Sequence, residues 1–237
     1  MAISSDVQHG ANPANDKQRI PTYHDHDKAG YALPNDSAEH HRLDRQAGHL
    51  SAMMLGNVPH APVQSGKSNR MLDVGCGTGA ITNLIASFYP DAECIGLDLT
   101  PVPATRPHRA NTQFFQGDFC SNPPSLWTPI TGDSSLPKSP HLFDYIFSRL
   151  LIAGMTKWPE FITKLFSLLR PGGWAEVQDL DFHWYDENNT PISQDWKWLD
   201  KLVEVCEKKE MDLRCGSKVH GWVNDAGFAD VQTFEYS

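Results

Sequence analysis

From residue 70 onward, short apolar runs alternate with amphipathic stretches. Arg70-Met71-Leu72-Asp73-Val74 reads as a buried strand, and the following segment places Ile81, Leu84, Ile85 and Phe88 at the i, i+3, i+4, i+7 spacing of a helix face. After Pro90, further strands are predicted over 93–98, 112–116 and 143–147. A helix opening near Trp158-Pro159 turns Phe161, Leu165, Leu168 and Leu169 inward and stops at Arg170-Pro171-Gly172-Gly173, just before a strand over 174–178. A helix from residue 193 then buries Trp196, Leu199, Val203 and Cys206, a short one covers 218–225, and Gly227-Phe228 leads into a last strand over 231–236. Strand and helix in turn predict an α/β fold with a doubly wound, Rossmann-like sheet.

Two stretches break the alternation. Pro101, Pro103 and Pro107 forbid a regular helix after the second strand. Residues 120–141 form a long Pro/Ser-rich insertion holding Trp127, of the kind that is either functional or disordered. Ahead of the sheet, residues 1–25 are polar and aperiodic and are predicted to be a disordered tail. Residues 26–66 form a helical cap, and 67–237 the main domain. Within the cap, Asp36 with Glu39 three residues later makes a helix start, and Leu43, Ala47, Leu50 and Met54 form its apolar stripe. That helix either packs on the domain or serves as a lid, with Tyr31 reaching into the site.

The junction of the first strand and helix carries the chemistry. Gly75-Cys76-Gly77-Thr78-Gly79 bends a strand into a helix start, where unpaired N–H groups can meet a nucleotide-type ligand. The spacing satisfies the loose dinucleotide pattern, and Asp98 lies roughly twenty residues on, as a ribose-binding acid should. Asp73, however, puts a carboxylate at the strand tip where a pyrophosphate needs neutral or positive surroundings. A cationic ligand suits that carboxylate better, so a sulfonium cofactor is favoured over a nicotinamide one.

Composition narrows the partners. The net charge is −9 and no Lys/Arg run exists, which argues against a nucleic-acid footprint or an anionic membrane surface. Five scattered cysteines without a C-x-x-C pair suggest neither zinc nor disulfides. The polar N-terminus has no apolar leader-like run. A soluble protein of a reducing compartment is expected, cytoplasmic or nuclear. His24-Asp25-His26-Asp27 reads as a solvated loop in preference to a metal cluster, because no further ligands stand at helical or hairpin spacing.

Several motifs occur together: Tyr31 to Asp36 with Arg42-Leu43-Asp44, the run Leu72 to Gly79, Ile95 to Pro101, Lys157-Trp158-Pro159, Arg170 to Asp179, and Gly227-Phe228. This set resembles the fungal LaeA-like, or TAM-domain, class I methyltransferases dependent on S-adenosyl-L-methionine (SAM). The resemblance covers about residues 28–237. It implies either methyl transfer to O or N of a small-molecule acceptor in secondary metabolism, a carboxylate included, or a regulator of such gene clusters acting through protein partners. Carried over by position, it implies cofactor contacts from Tyr31, Asp73, Gly75, Cys76, Gly77, Thr78, Gly79, Asp98, Leu99, Asp118, Phe119 and Arg149. Asp98 would meet the ribose and Asp118 with Phe119 the adenine. Arg149 would face the methyl group and acceptor. Asp179, Asp181 and His183 are the candidate bases if the acceptor needs one. Sheets of this class end in a strand hairpin, which here is expected to be incomplete.

Overall fold

The computed structural model describes residues 36–56, 58–64, 69–104, 107–130 and 142–236. The polar tail, the His24 to Asp27 run and Tyr31 lie outside the described residues. Six strands form one sheet: β1 (Arg70–Val74), β2 (Glu93–Asp98), β3 (Thr112–Gln116), β4 (Thr128–Pro129), β5 (Phe143–Arg149) and β6 (Leu169–Gln178), in the order β4-β3-β2-β1-β5-β6. All neighbours are parallel except β3 and β4. The order reverses at β1, so the ends of β1, β2 and β5 frame the crevice where doubly wound sheets bind ligands.

Register sorts the side chains by face. Asp73 lies opposite Gly96 on β2 and Phe147 on β5, and Phe147 opposite Glu176 on β6. With a period of two, Met71, Asp73, Cys94, Asp98, Tyr145, Phe147, Arg149, Trp174, Glu176 and Gln178 therefore share one face. Helices α1 (Ser37–Met53) and α2 (Ala80–Phe88) cover it, with Ile81, Ile85 and Ala86 packed among Met71, Cys94, Tyr145 and Phe147. The opposite face presents Leu72, Val74, Ile95, Leu97 and Ile146 to α3 (Trp158–Leu168) and α5 (Cys215–Asp225). Cys206 of α4 (Lys197–Glu207) joins the same core. Leu72, Ile95 and Ile146 have no exposed surface, consistent with central parallel strands buried on both sides.

Three expectations need correction. Arg170 to Gly173 does not separate helix from strand, because β6 begins at Leu169 and runs through those residues as a bulge. It takes five steps, Leu169 to Trp174, where β5 takes two, Phe143 to Tyr145. The insertion is structured in its described part. Thr128–Pro129 pairs with β3, and Trp127 is 5% exposed with its indole N–H donating to the Asn122 carbonyl at 3.3 Å. Residues 231–236 alternate as a strand should, yet they pair with no strand. Side chains hold them instead: Phe234 stacks on His60 with ring centroids 4.9 Å apart, and the Tyr236 hydroxyl lies 2.6 Å from His60 Nε2.

Candidate functional site

The turn after β1 folds as its glycines require. Gly75, Gly77 and Gly79 all have positive φ, at 71°, 54° and 73°. The Gly75 and Cys76 N–H groups donate to the Leu97 carbonyl at 2.8 and 3.1 Å, tying the turn to the end of β2. A side chain at Gly79 would put its Cβ 2.9 Å from the Phe114 ring, so the bend closes only without one. Helix α2 starts at this glycine, which has no side chain to cap it. The Gly79 N–H turns back to the Cys76 carbonyl at 2.9 Å, and the Thr82 N–H is answered by the Asp73 carboxylate, which caps the helix from β1.

The carboxylates meet beside this turn. Asp98, at the tip of β2, accepts from the Gly77 N–H at 2.8 Å and from the Thr100 N–H and hydroxyl at 3.0 and 3.1 Å. Asp73 is 3% exposed and accepts from the Thr82 hydroxyl at 2.6 Å. Desolvation pushes its carboxyl up to about 6; Thr82 and Arg149 pull it down, and Asp98 pushes it further up. Asp118 follows β3 at the same edge of the sheet, where its Oδ1 accepts from the N–H groups of Cys120 and Ser121 at 2.9 and 3.1 Å. Leu99 is half-buried, and its carbonyl accepts from the Gln116 amide at 3.0 Å.

Not every nominated side chain reaches the crevice. Phe119 is 5% exposed and packs against Phe161 at 5.3 Å and Trp127 at 6.2 Å, which leaves no open ring face for an adenine. The Cys76 side chain is buried with Val102 and Phe114, and burial raises its thiol far above the ordinary range. Only its backbone belongs to the turn. Both ring nitrogens of His183 are engaged, Nδ1 with Asp181 Oδ1 at 2.7 Å and Nε2 with the Arg214 guanidinium. The imidazole is thus held between Asp181 and Arg214, away from the glycine turn's hydrogen bonds. Asp179 accepts from the Leu151 and Leu180 N–H groups at 2.8 and 3.0 Å, and burial raises its carboxyl to about 7. It braces the loop after β5.

Arg149, the last residue of β5, is the outlier. Its Nε–H donates to Gln178 Oε1 at 2.7 Å, while Nη1 and Nη2 are buried and find no hydrogen-bond partner among the described residues, the guanidinium lying over the Phe147 ring at 5.5 Å from its centroid. Burial lowers its pKa, and attraction to Asp73 and Glu176 partly restores it. The supports around it were not foreseen. Gln178 donates to Glu176 Oε1 at 2.5 Å, and Glu176 Oε2 accepts from the Tyr145 hydroxyl at 2.8 Å and the His60 N–H at 2.9 Å. The signal for them was available: Glu176 and Gln178 alternate along a strand on its covered face.

Helix α1 lies on the glycine turn. Thr78, 4% exposed, donates its hydroxyl to Asp44 at 2.5 Å. Leu43 comes within 3.6 Å of where a Cβ on Gly77 would be. The Asp36 carboxylate caps the helix by accepting from Ala38 and Glu39 N–H at 3.1 Å each.

The chain is 30% identical over 213 residues to methyltransferase pytC of Aspergillus terreus, spanning 88% of this chain and 60% of that protein. It is 33% identical over 214 residues to the secondary metabolism regulator laeA of Aspergillus fumigatus, spanning 89% and 53%. The chain thus spans between half and two thirds of the length of these relatives. Among solved structures, phosphoethanolamine N-methyltransferase 2 of Haemonchus contortus, in complex with S-adenosyl-L-methionine, superposes with a TM-score of 0.51 at 20% identity, covering 79% of this chain and 37% of that one. That likeness concerns the fold. The family described as a methyltransferase domain matches residues 40–233, and the chain belongs to it.

Proposed function

We propose that this chain is a SAM-dependent methyltransferase acting on an oxygen or nitrogen of a small molecule in fungal secondary metabolism. The observation that carries the reading is the joint placement of Asp73 and Asp98 against a three-glycine turn that feeds the N-terminus of α2. Acids at that position favour a ligand bearing a sulfonium and an ammonium over one bearing a pyrophosphate. The residues present fit such a cofactor: Gly75 to Gly79 offer backbone, Asp98 a carboxylate for ribose hydroxyls, and Arg149 two donors with no partner.

SAM supplies an activated methyl carbon on a sulfonium that leaves as a neutral thioether. The protein's share is alignment and exclusion of water. Asp98, held at the turn by Gly77 and Thr100, would present its carboxylate to the ribose hydroxyls, and α1, tied down through Asp44 and Thr78, covers the turn. With His183, Asp181 and Asp179 each hydrogen-bonded within the protein, the reading favours an acceptor that needs no strong base. A carboxylate or an uncharged amine meets that condition.

Purified protein incubated with isotopically labelled SAM and a fungal small-molecule extract should yield a labelled metabolite, and Asp98→Ala should abolish the product. No SAM binding by calorimetry would end the reading. The laeA relative supports a second one, a regulator working through protein partners. Asp98→Ala would then leave the biological output intact.

A further inference from the structure

Three loops of the sheet's carboxyl edge meet on one short turn. Leu151–Ala153 forms a single 3₁₀ turn after β5. Leu151 fills the space that a side chain on Gly75 would need, since a Cβ there would collide with Leu151 Cδ2. Gly75 opens the glycine bend, so bend and turn hold each other in place. On the other side, the Met155 N–H donates to the Leu151 carbonyl at 2.8 Å, and Met155 Sδ lies 3.8 Å from the Cys120 thiol in the loop that follows Asp118. The end of β6 joins them, its Gln178 carbonyl accepting from the Leu150 N–H at 2.9 Å.

The turn does not hold itself. It begins at Leu150, a side-chain-bearing residue in the left-handed region with φ of 55°, which its surroundings must enforce. Asp179 does this from the end of β6. Its carboxylate accepts from the Leu151 N–H at 2.8 Å and from the Leu180 N–H at 3.0 Å, and among the described residues it forms no ion pair. The titratable group that faces it from α5 is the Cys215 thiol, pushed up by burial and then by Asp179, Asp212 and Asp181. Asp181 is itself hydrogen-bonded to His183, and His183 to the Arg214 guanidinium. A carboxylate withdrawn from water with no cation beside it burdens the fold, and this one sits where it can pin the turn.

We propose that Asp179 is a positioning residue of the cofactor site: by holding the Leu151 N–H it keys the turn after β5 onto Gly75, and its protonation sets how firmly that turn stays closed. The link to the cofactor rests on the methyltransferase reading above, whereas the link to the turn stands without it. Desolvation lifts the Asp179 carboxyl from 3.8 to about 7, in spite of its bonds from Leu180, Leu151 and Ile152. An opened turn gives the carboxylate water and returns it toward its ordinary value. Between about pH 4 and about pH 7 the closed turn therefore holds a proton that the open one has lost. Opening becomes easier as pH rises through that window and levels off above it.

Amide exchange on the full chain, corrected for the intrinsic rate, reads the turn. From about pH 5 to about pH 7, protection of Leu151 and Leu180 should fall on the order of tenfold or more, ahead of the β1 core amides. In Asp179→Asn, which cannot ionise, that dependence should vanish whatever the level of protection. Calorimetry with S-adenosylhomocysteine reads the cofactor site. Asp179→Asn and Leu151→Ala should each weaken binding on the order of five- to tenfold, and the double variant no further than the weaker single one, because both break the same path. A merely structural Asp179 would cost stability and leave the affinity of the folded protein alone. The proposal is overturned if Asp179→Asn keeps the pH dependence of exchange, if it leaves S-adenosylhomocysteine affinity unchanged, or if the two losses add. Should Asp179→Asn not fold, wild-type protection that is flat with pH, or an unchanged affinity in Leu151→Ala, overturns it instead. Wild type that binds no S-adenosylhomocysteine ends the methyltransferase reading, and exchange alone then decides whether Asp179 keys the turn.

Discussion

Replacing Asp73 by asparagine should stabilise the folded protein at neutral pH. Asp73 is 3% exposed, and desolvation lifts its carboxyl from 3.8 to about 6, against the opposing pull of Thr82 and Arg149. In the unfolded chain the group returns to its ordinary value. Between about pH 4 and pH 6 the folded protein therefore holds a proton that the unfolded chain has lost, and stability falls as pH rises through that window. At about 1.4 kcal/mol per unit, the two-unit shift costs about 3 kcal/mol at about pH 7.5 but only about 1 kcal/mol at about pH 4.5. Asparagine does not ionise and keeps an oxygen for the Thr82 hydroxyl. Its buried amide carries a desolvation cost of about 1 kcal/mol, the same at both pH values. The diagnostic quantity is thus the difference: Asp73→Asn should gain about 2 kcal/mol more at the higher pH than at the lower, as measured by urea unfolding at each. A gain independent of pH, or a greater benefit in acid, refutes the desolvation argument. The same variant should bind S-adenosyl-L-methionine more weakly, because the charge that burdens the fold is the one offered to a cationic ligand.

Three further substitutions test separate parts of the site. Gly79→Ala forces a side chain into a backbone with φ of 73° and to within 2.9 Å of the Phe114 ring; it should cost about 1–3 kcal/mol in urea unfolding, and a loss below about 0.5 kcal/mol counts against that packing. Thr78→Val removes the hydroxyl bonded to Asp44 and should speed amide exchange in α1, leaving α2 protected; equal protection of α1 would show that the bond does not hold the helix. Phe119→Leu should lower stability by about 1–2 kcal/mol without changing affinity for S-adenosylhomocysteine, whereas a ring in contact with adenine would lose affinity.

What could be read from the chain follows the physics of each element. The spans of β1, β2 and β3 were legible because each carries a short run of buried apolar residues, with glycine following β1 and β3 and proline preceding β2. The start of β6 was not, because Pro171 and Gly172 are ordinary helix stops, and only the tertiary pairing with β5 makes a bulge of them. Residues 231–236 misled in the opposite way: alternation records which side chains can be buried on one side, while a ladder also needs a neighbouring edge, and here His60 occupies the side chains instead. The site divides along the same line. Glycines and acids at a strand tip are local facts with local consequences, so Asp73, Asp98 and Gly75 to Gly79 could be nominated from their spacing. The withdrawal of Phe119 into the α3 core and of His183 between Asp181 and Arg214 depends on residues far off in sequence. Arg149 shows both halves in one residue. Its position after a predicted strand marked it, but a charge with buried, unanswered donors exists only once Gln178 and Glu176 are packed around it. A buried charge with donors that find no acceptor lowers stability, and packing alone does not require one. The Arg149 guanidinium and the buried, raised carboxyl of Asp73 thus burden the resting fold, and the proposed charged occupant would relieve both.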